Sequence, residues 1–442
     1  MLQRLFDPEV PFAPRRFPFP YGHWILVMMI IGTAASIPGQ TMGVSVFTAP
    51  LSGATGLDAL QLSITYGVGT AISSLLLPFG GRLIDRWGCR RTAVFAALSM
   101  GATLLLFANI EALLAASIAG TAATALVVTT VLFAALRFSG QGMLTLSART
   151  MLGRWFDRHR GRAAAISGVV IGFAFSSAPL TLKLLRDGVG WRWAWIVLAL
   201  GVGGGMAVLA WLFFRDNPEE CGLRVDGGPA AADDSRRQPA AASDRNRAEA
   251  LRTAAFWAVA LLLGCHATVF TGIAFHIEPI GAESGLDSTQ AVAVFLPMAV
   301  VGTVSSFLAG IACDRYPIRR ILVVMALLQA GGFAAMAFYG HPVGYWLTVV
   351  VLGAAGGLFG PVSTVAPPAL FGRKHLGAIG GAIMTAMVLG SALGPALLAG
   401  FARFASFRTG LLASAALPLM VLAVVARARP PPLRADDAAE GA

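Results

Sequence analysis

Arg137 lies twelve residues before Arg149 in an otherwise apolar run, about 18 Å along a helix at 1.5 Å per residue. At that depth in a bilayer an arginine costs at least about 2.5–3.5 kcal/mol unless it meets water or a partner. Gln141 at i+4 and Thr145 at i+8 fall on its helical face. The set reads as a cavity-lining cation that binds an anionic group or takes part in proton coupling. The competing reading is a structural donor to helix carbonyls. Gln40, Thr41 and Gly43 follow Pro38-Gly39 in another apolar run, where freed backbone groups must be re-satisfied. Gln40 is thus a candidate substrate contact or a helix-packing glutamine. His276 and Glu278 close a later run as a titratable pair suited to coupling protons, unless Glu278 belongs to an outer loop. Lys183, one turn from Arg186, reads as a cavity residue or a snorkelling interface cation. His266 is ten residues before His276, about 280° round a helix, and reads as buried structure.

These residues need elements that cross a membrane. The 442 residues are 56% hydrophobic and only 12% charged, with mean hydropathy +0.72. Soluble domains carry about a quarter charged residues, and a spanning helix needs about 20 apolar positions. The composition excludes disordered, collagen-like and disulfide-scaffold classes. The apolar runs are continuous, unlike the alternating segments of a membrane β-barrel. Twelve runs are expected to span, at approximately 23–49, 59–80, 92–110, 114–147, 163–186, 192–214, 254–280, 290–312, 320–340, 343–368, 376–400 and 408–427. The fold class is an all-α polytopic membrane protein of 12 transmembrane helices.

Charge sets the expected topology. With the N-terminus inside, 27 of the 33 Lys+Arg fall in inside loops and tails, and Arg186, Arg192, Arg403 and Arg408 alone fall outside. This places both termini in the cytoplasm. The expected parts are a tail (1–22), a six-helix bundle (23–214), a linker (215–253), a second six-helix bundle (254–427) and a tail (428–442). The linker is rich in Ala, Asp, Arg, Pro and Gly and reads as flexible. The prolines and basic patches of residues 1–20 do not read as a cleavable leader.

The two halves repeat. Gly81, Asp85, Arg86, Arg90 and Arg91 recur 229 positions later as Gly310, Asp314, Arg315, Arg319 and Arg320. Gly161/Gly377, Pro179/Pro395 and Arg192/Arg408 are each 216 apart, which puts 13 extra residues between Arg91 and Gly161. A duplicated six-helix unit suits a transporter with parallel repeats around a midplane site. An acid and a glycine at one offset in both halves exceed what topology requires. They read as a charge-paired latch that is broken and remade in each cycle.

The segment GRLIDRWGCRR (81–91), which includes Gly88, resembles the signature loop of the major facilitator superfamily. Cys89 departs from its usual basic residue, and the second copy has Pro317 in place of the later glycine. Arg137-Phe-Ser-Gly140-Gln141-Gly142 is similar to the superfamily's span-four motif. PGQTMGVSVF (38–47), GRWFDRHRGRAAAISG (153–168) and FGRKHLGAIGG (371–381) resemble the monocarboxylate and oxalate–formate branch. The resemblance implies two pseudo-symmetric bundles and alternating access, by symport or antiport. Carboxylate carriers of that branch often place a basic residue in span eight, and 290–312 has none.

The expected function is secondary transport of a small organic anion such as a monocarboxylate. An efflux carrier for amphipathic compounds and a non-transporting receptor or scaffold are the alternatives. No nucleotide-binding loop, HExxH, GxSxG, CxxC or His cluster is present, so neither an enzyme, a cofactor nor a metal is expected. No span carries an acid at its middle. The expected partners are the small-molecule substrate, the lipid bilayer and protons as coupling ion, with no nucleic acid. A monomer in a bacterial inner membrane is the expected setting.

Overall fold

The computed structural model describes residues 5–116, 121–225 and 244–427. The middle of the expected linker (226–243) and the tail from 428 lie outside the described residues.

Twelve helices account for the twelve apolar runs. They are α1 (Tyr21–Ala35), α2 (Ala59–Trp87), α3 (Cys89–Ala108), α4 (Ala122–Trp155), α5 (Arg160–Val189), α6 (Trp191–Phe213), α7 (Ala254–Phe275), α8 (Phe295–Arg315), α9 (Ile318–Met336), α10 (Pro342–Phe371), α11 (Leu376–Phe404) and α12 (Phe407–Arg427). Ten of them are long and apolar enough to cross a membrane; α1 is a shorter apolar helix and α5 has 30 residues. The chain forms two compact units. The first holds residues 1–157 and 170–229; the second holds 230–442 together with 158–169, the first turns of α5.

Local sequence fixes the ends and breaks. Asp58 and Gln61 form a capping box that starts α2. The segment 81–91 is hardly a loop: α2 runs to Trp87, α3 begins at Cys89, and Gly88 alone turns the corner at φ +87°. In the second copy Tyr316 and Pro317 separate α8 from α9, and the proline precedes the first helical residue. Part of the extra length of the first half is a short helix, Ile110–Ala115.

Three helices contain π-helical turns: Phe138–Leu144 in α4, Ala199–Gly205 in α6 and Thr348–Leu352 in α10. Such turns disturb the i→i+4 ladder and often mark functional positions. The one in α6 lets Gly203 meet Gly101 of α3, and Gly332 of α9 packs on Leu352 in α10. In the second unit Gly390 and Gly394 of α11 pack on Gly264 and Thr268 of α7, as small residues do where helices approach without a hydrophobic drive. Gly172 of α5 has open space beside it.

The second unit has two apolar clusters along its length. One surrounds Leu262, Met325, Val362 and Ile379, and the other surrounds Val269, Phe333, Leu398 and Leu411. His266 lies between them, 6% exposed, with its Nδ1 unpartnered and its ring stacked on Phe270 and against Phe359.

Candidate functional site

Pro38-Gly39 interrupts the first span as expected. α1 ends at Ala35, a single 3-10 turn covers Ile37–Gly39, and a short helix resumes at Thr41–Ser45. The break frees carbonyls inside the first unit, and Arg137 takes one of them. Its Nη1 donates to the Gly39 carbonyl at 3.2 Å and reaches the Thr41 hydroxyl at 3.5 Å. The guanidinium lies over the Tyr66 ring at 5.3 Å, and the Tyr66 hydroxyl donates to Thr41 Oγ1 at 2.8 Å. Arg137 is 2% exposed, and its Nε has no hydrogen-bond partner among the described residues. No ion pair joins it to a carboxylate among them either. The arginine therefore fills the structural-donor role in part and keeps one directed N–H free for an acceptor.

The π-helical turn begins at the next residue, Phe138. It brings Gly140 against Gly39, so closely that a methyl on Gly39 would stand 2.7 Å from the Leu136 carbonyl. Half-buried Gln141 lies within this turn, and Thr145 beyond it. Thr145 donates to Ser36 Oγ at 3.0 Å, Gln40 Nε2 donates to the same Ser36 oxygen at 3.1 Å, and Ser36 donates to the Thr33 carbonyl at 2.6 Å. The break in the first span is thus lined by two adjoining polar sets, Arg137–Gly39–Thr41–Tyr66 and Gln40–Ser36–Thr145. Ser36 and Tyr66 were not singled out from sequence. Ser36 sits two residues before Pro38, the signal that marks the break. Nothing in the apolar alternation of α2 marks Tyr66.

The other candidates lie elsewhere. Exposed Lys183 pairs with Asp187 at 2.8 Å, and Arg186 pairs with the same carboxylate at 2.7 Å while donating to the Val46 carbonyl. In the second unit His276 closes α7, its Nε2 at 3.0 Å from the Pro395 carbonyl and its ring 5.2 Å from that of Phe407. The side chain of Glu278 lies outside the described residues.

The two copies of the repeated corner differ. Asp85 pairs with Arg154 of α4 at 3.1 Å, and both side chains are largely buried. Asp314 instead accepts the backbone N–H groups of Gly161 and Arg162, at 2.6 and 3.0 Å, at the start of α5. A carboxylate there meets unpaired donors and the positive end of the helix dipole. Gly161 and Gly310 touch backbone to backbone, which leaves no room for a side chain on either. Gly81 is buried, whereas Arg86, Arg315 and Arg320 are exposed. Gly88 packs against the Asp216 carboxylate, which also accepts the Arg90 N–H at 2.9 Å. Arg91 lies over the Phe6 ring at 5.3 Å. Arg319, exposed, donates to the Ala426 carbonyl at 2.9 Å.

Comparison with known proteins agrees with this architecture. Residues 24–366 match the sequence profile of the Major Facilitator Superfamily. Monocarboxylate transporter 14 of mouse is 28% identical over 176 residues, 38% of this chain and 30% of that protein, and its human counterpart aligns likewise over 31% of its length. The chain thus spans about a third of these relatives. Among solved structures, the human organic anion transporter MFSD10 covers 92% of the chain and is itself covered in full, at TM-score 0.64 and 12% identity. The proton:xylose symporter XylE covers 91%, with 94% of its own chain, at TM-score 0.68 and 14% identity. The Escherichia coli fucose:proton symporter covers 92%, with 99% of its own chain, at TM-score 0.67 and 12% identity. With the repeated corner and the broken first span, the profile match establishes that this integral membrane protein belongs to the major facilitator superfamily.

Proposed function

We propose that the protein moves a small organic anion, of monocarboxylate class, by alternating access, and that Arg137 is the anchor for the anion's negative group. The observation that carries this is the buried guanidinium at the break of the first span, with its Nε unpartnered and no carboxylate paired to it. A buried cation without a counter-ion favours a ligand that supplies one. Tyr66, Gln40, Gln141 and Thr41 offer the neutral donors and acceptors to orient such a ligand, and His276, Glu278 and Lys183 are the further candidates for coupling. The partial similarity to monocarboxylate transporter 14 supports the same substrate class. The arginine distribution supports both termini on the cytoplasmic side.

The test is uptake of labelled L-lactate, acetate and pyruvate by proteoliposomes, with xylose as the neutral control. Wild type is expected to take up at least one of the acids and not the sugar. Arg137→Gln is expected to reduce that uptake at least 100-fold while the purified variant keeps a single folded peak on gel filtration. Uptake of none of the acids by wild type, or undiminished uptake by the variant, would end the proposal.

A further inference from the structure

Residues 5–19 contain no long apolar run, yet they lie along the end of the first bundle in an alternating pattern. Phe6, Pro8, Val10, Phe12 and Pro14 turn inward, whereas Asp7, Glu9, Pro11 and Arg15 are exposed. The segment is a run of turns ending in a 3-10 turn at Pro14–Arg16, and few of its carbonyls are met from within it, Asp7 by the Val10 N–H among them; the others must find donors elsewhere.

Two buried arginines supply them. Arg90 is 2% exposed and Arg215 1%. Arg90 donates through Nη1 to the Asp7 carbonyl at 2.9 Å and through Nη2 to that of Val10 at 2.7 Å. Arg215 donates to the carbonyls of Pro8, Val10 and Phe12 at 2.8, 3.3 and 3.2 Å. The Val10 carbonyl therefore ties the two arginines together. Their remaining side-chain bonds go to the carbonyls of Trp211, Leu212 and Phe214 at the end of α6. Phe6 lies under Arg90 at 5.6 Å and Phe12 under Arg215 at 5.1 Å.

We infer that residues 5–19 are a clasp that holds the Gly88 corner, with Arg90 and Arg215 as its positioning residues. The clasp accepts five of the nine side-chain hydrogen bonds of these two guanidinium groups. Without it the buried donors go unsatisfied, and water must enter the end of the bundle to reach them. The corner is tied to the same group, because Asp216, next to Arg215, accepts the Arg90 N–H and braces Gly88. Releasing the clasp therefore loosens the turn between α2 and α3. The consequence for transport rests on the gating role read for this corner, but the bracing itself is tested without any substrate.

Two native thiols report on it. Cys89 is at the corner and wholly buried; Cys221 is 2% exposed, and burial pushes its thiol up to about 12. Both should label slowly with a maleimide at pH 7.5, since the thiolate is the reactive form. In a Cys265→Ser, Cys313→Ser background, deletion of residues 2–13 is expected to speed labelling of Cys89 or Cys221 at least tenfold. A synthetic peptide of residues 2–20 is expected to restore protection saturably, and the same peptide with Phe6, Val10 and Phe12 changed to Ser is expected not to. Full-length Arg215→Lys keeps the charge but loses the guanidinium fork, and should label at least threefold faster; it carries the test if the shortened chain does not fold. Wild-type rates in either variant, or fast labelling of the shortened chain that the peptide leaves unchanged, would overturn the clasp.

Discussion

The corners at Asp85 and Asp314 descend from one repeated motif and hold their bundles differently. The first half has Arg154 ten residues after the end of the π-helical turn (Phe138–Leu144), on the last turn of α4, and that arginine faces Asp85. At the 216-residue offset the second half has Leu370 in its place, at the end of α10. Asp314, lacking an arginine there, is satisfied by two backbone N–H groups at the start of α5. The same contrast appears at the double arginine. Arg90 is buried under the N-terminal segment, and its counterpart Arg319 is exposed. Each nevertheless donates to a carbonyl near the end of the last helix of its own half, Trp211 or Ala426. A shared motif thus fixes where the charges stand, and the neighbouring sequence decides what each one binds. A side-chain ion pair buried on both sides is costly to break from one end, whereas a carboxylate on a helix start shares its role with the dipole and with water.

The contrast predicts unequal costs. Asp85→Asn is expected to have the largest effect, about 3 kcal/mol of stability. It leaves Arg154 buried without its paired carboxylate, and the cost stays at the lower end because Asp216 and Glu220 also act on Arg154. Chemical denaturation followed by intrinsic fluorescence measures it, and a loss under 1 kcal/mol would break the comparison. Gly161→Ala comes next, at about 2 kcal/mol, because the new methyl meets the Gly310 carbonyl and neither backbone has room to yield. Gly310→Ala should behave alike, and additivity of the two in the double variant would deny that they share one contact.

Asp314→Asn should cost only about 1 kcal/mol, since the amide oxygen still accepts one N–H and only the charge on the helix start is lost. If it costs as much as Asp85→Asn, the two corners are equivalent after all. The smallest effect is expected at Gly172 of α5, eleven residues from Gly161 and with open space beside it. Gly172→Ala should be neutral or stabilising by about 0.5–1 kcal/mol through helix propensity alone, and a thermal melt that falls by several degrees would show a neighbour there.

Much of this was legible in the chain. Twelve apolar runs, the repeat at Asp85 and Asp314, and the break at Pro38-Gly39 all follow from residue type and spacing, because each is set by local chemistry in a bilayer. Arg137 stood out for the same reason, since a lone arginine among apolar residues needs a partner wherever the helices go. Its partners did not stand out. Tyr66 and Ser36 are ordinary residues until packing places them beside the break. The N-terminal segment reads from sequence as a tail, and the alternation from Phe6 to Pro14 marks the face that the structure turns inward. Lys183 reads from sequence as either a cavity residue or an interface cation, and the i+4 spacing to Asp187 is the signal for the pair it makes.

What the sequence determined alone is the membrane-spanning helical class, the duplication and the positions of the breaks, since hydropathy and backbone demand act along the chain. Only the tertiary structure decided which acceptor each buried cation meets: the Gly39 carbonyl for Arg137, Asp85 for Arg154, the N-terminal carbonyls for Arg90 and Arg215. Satisfying a buried charge is a matter of distance in space, and residues more than 60 positions apart carry no mark of one another until the helices pack.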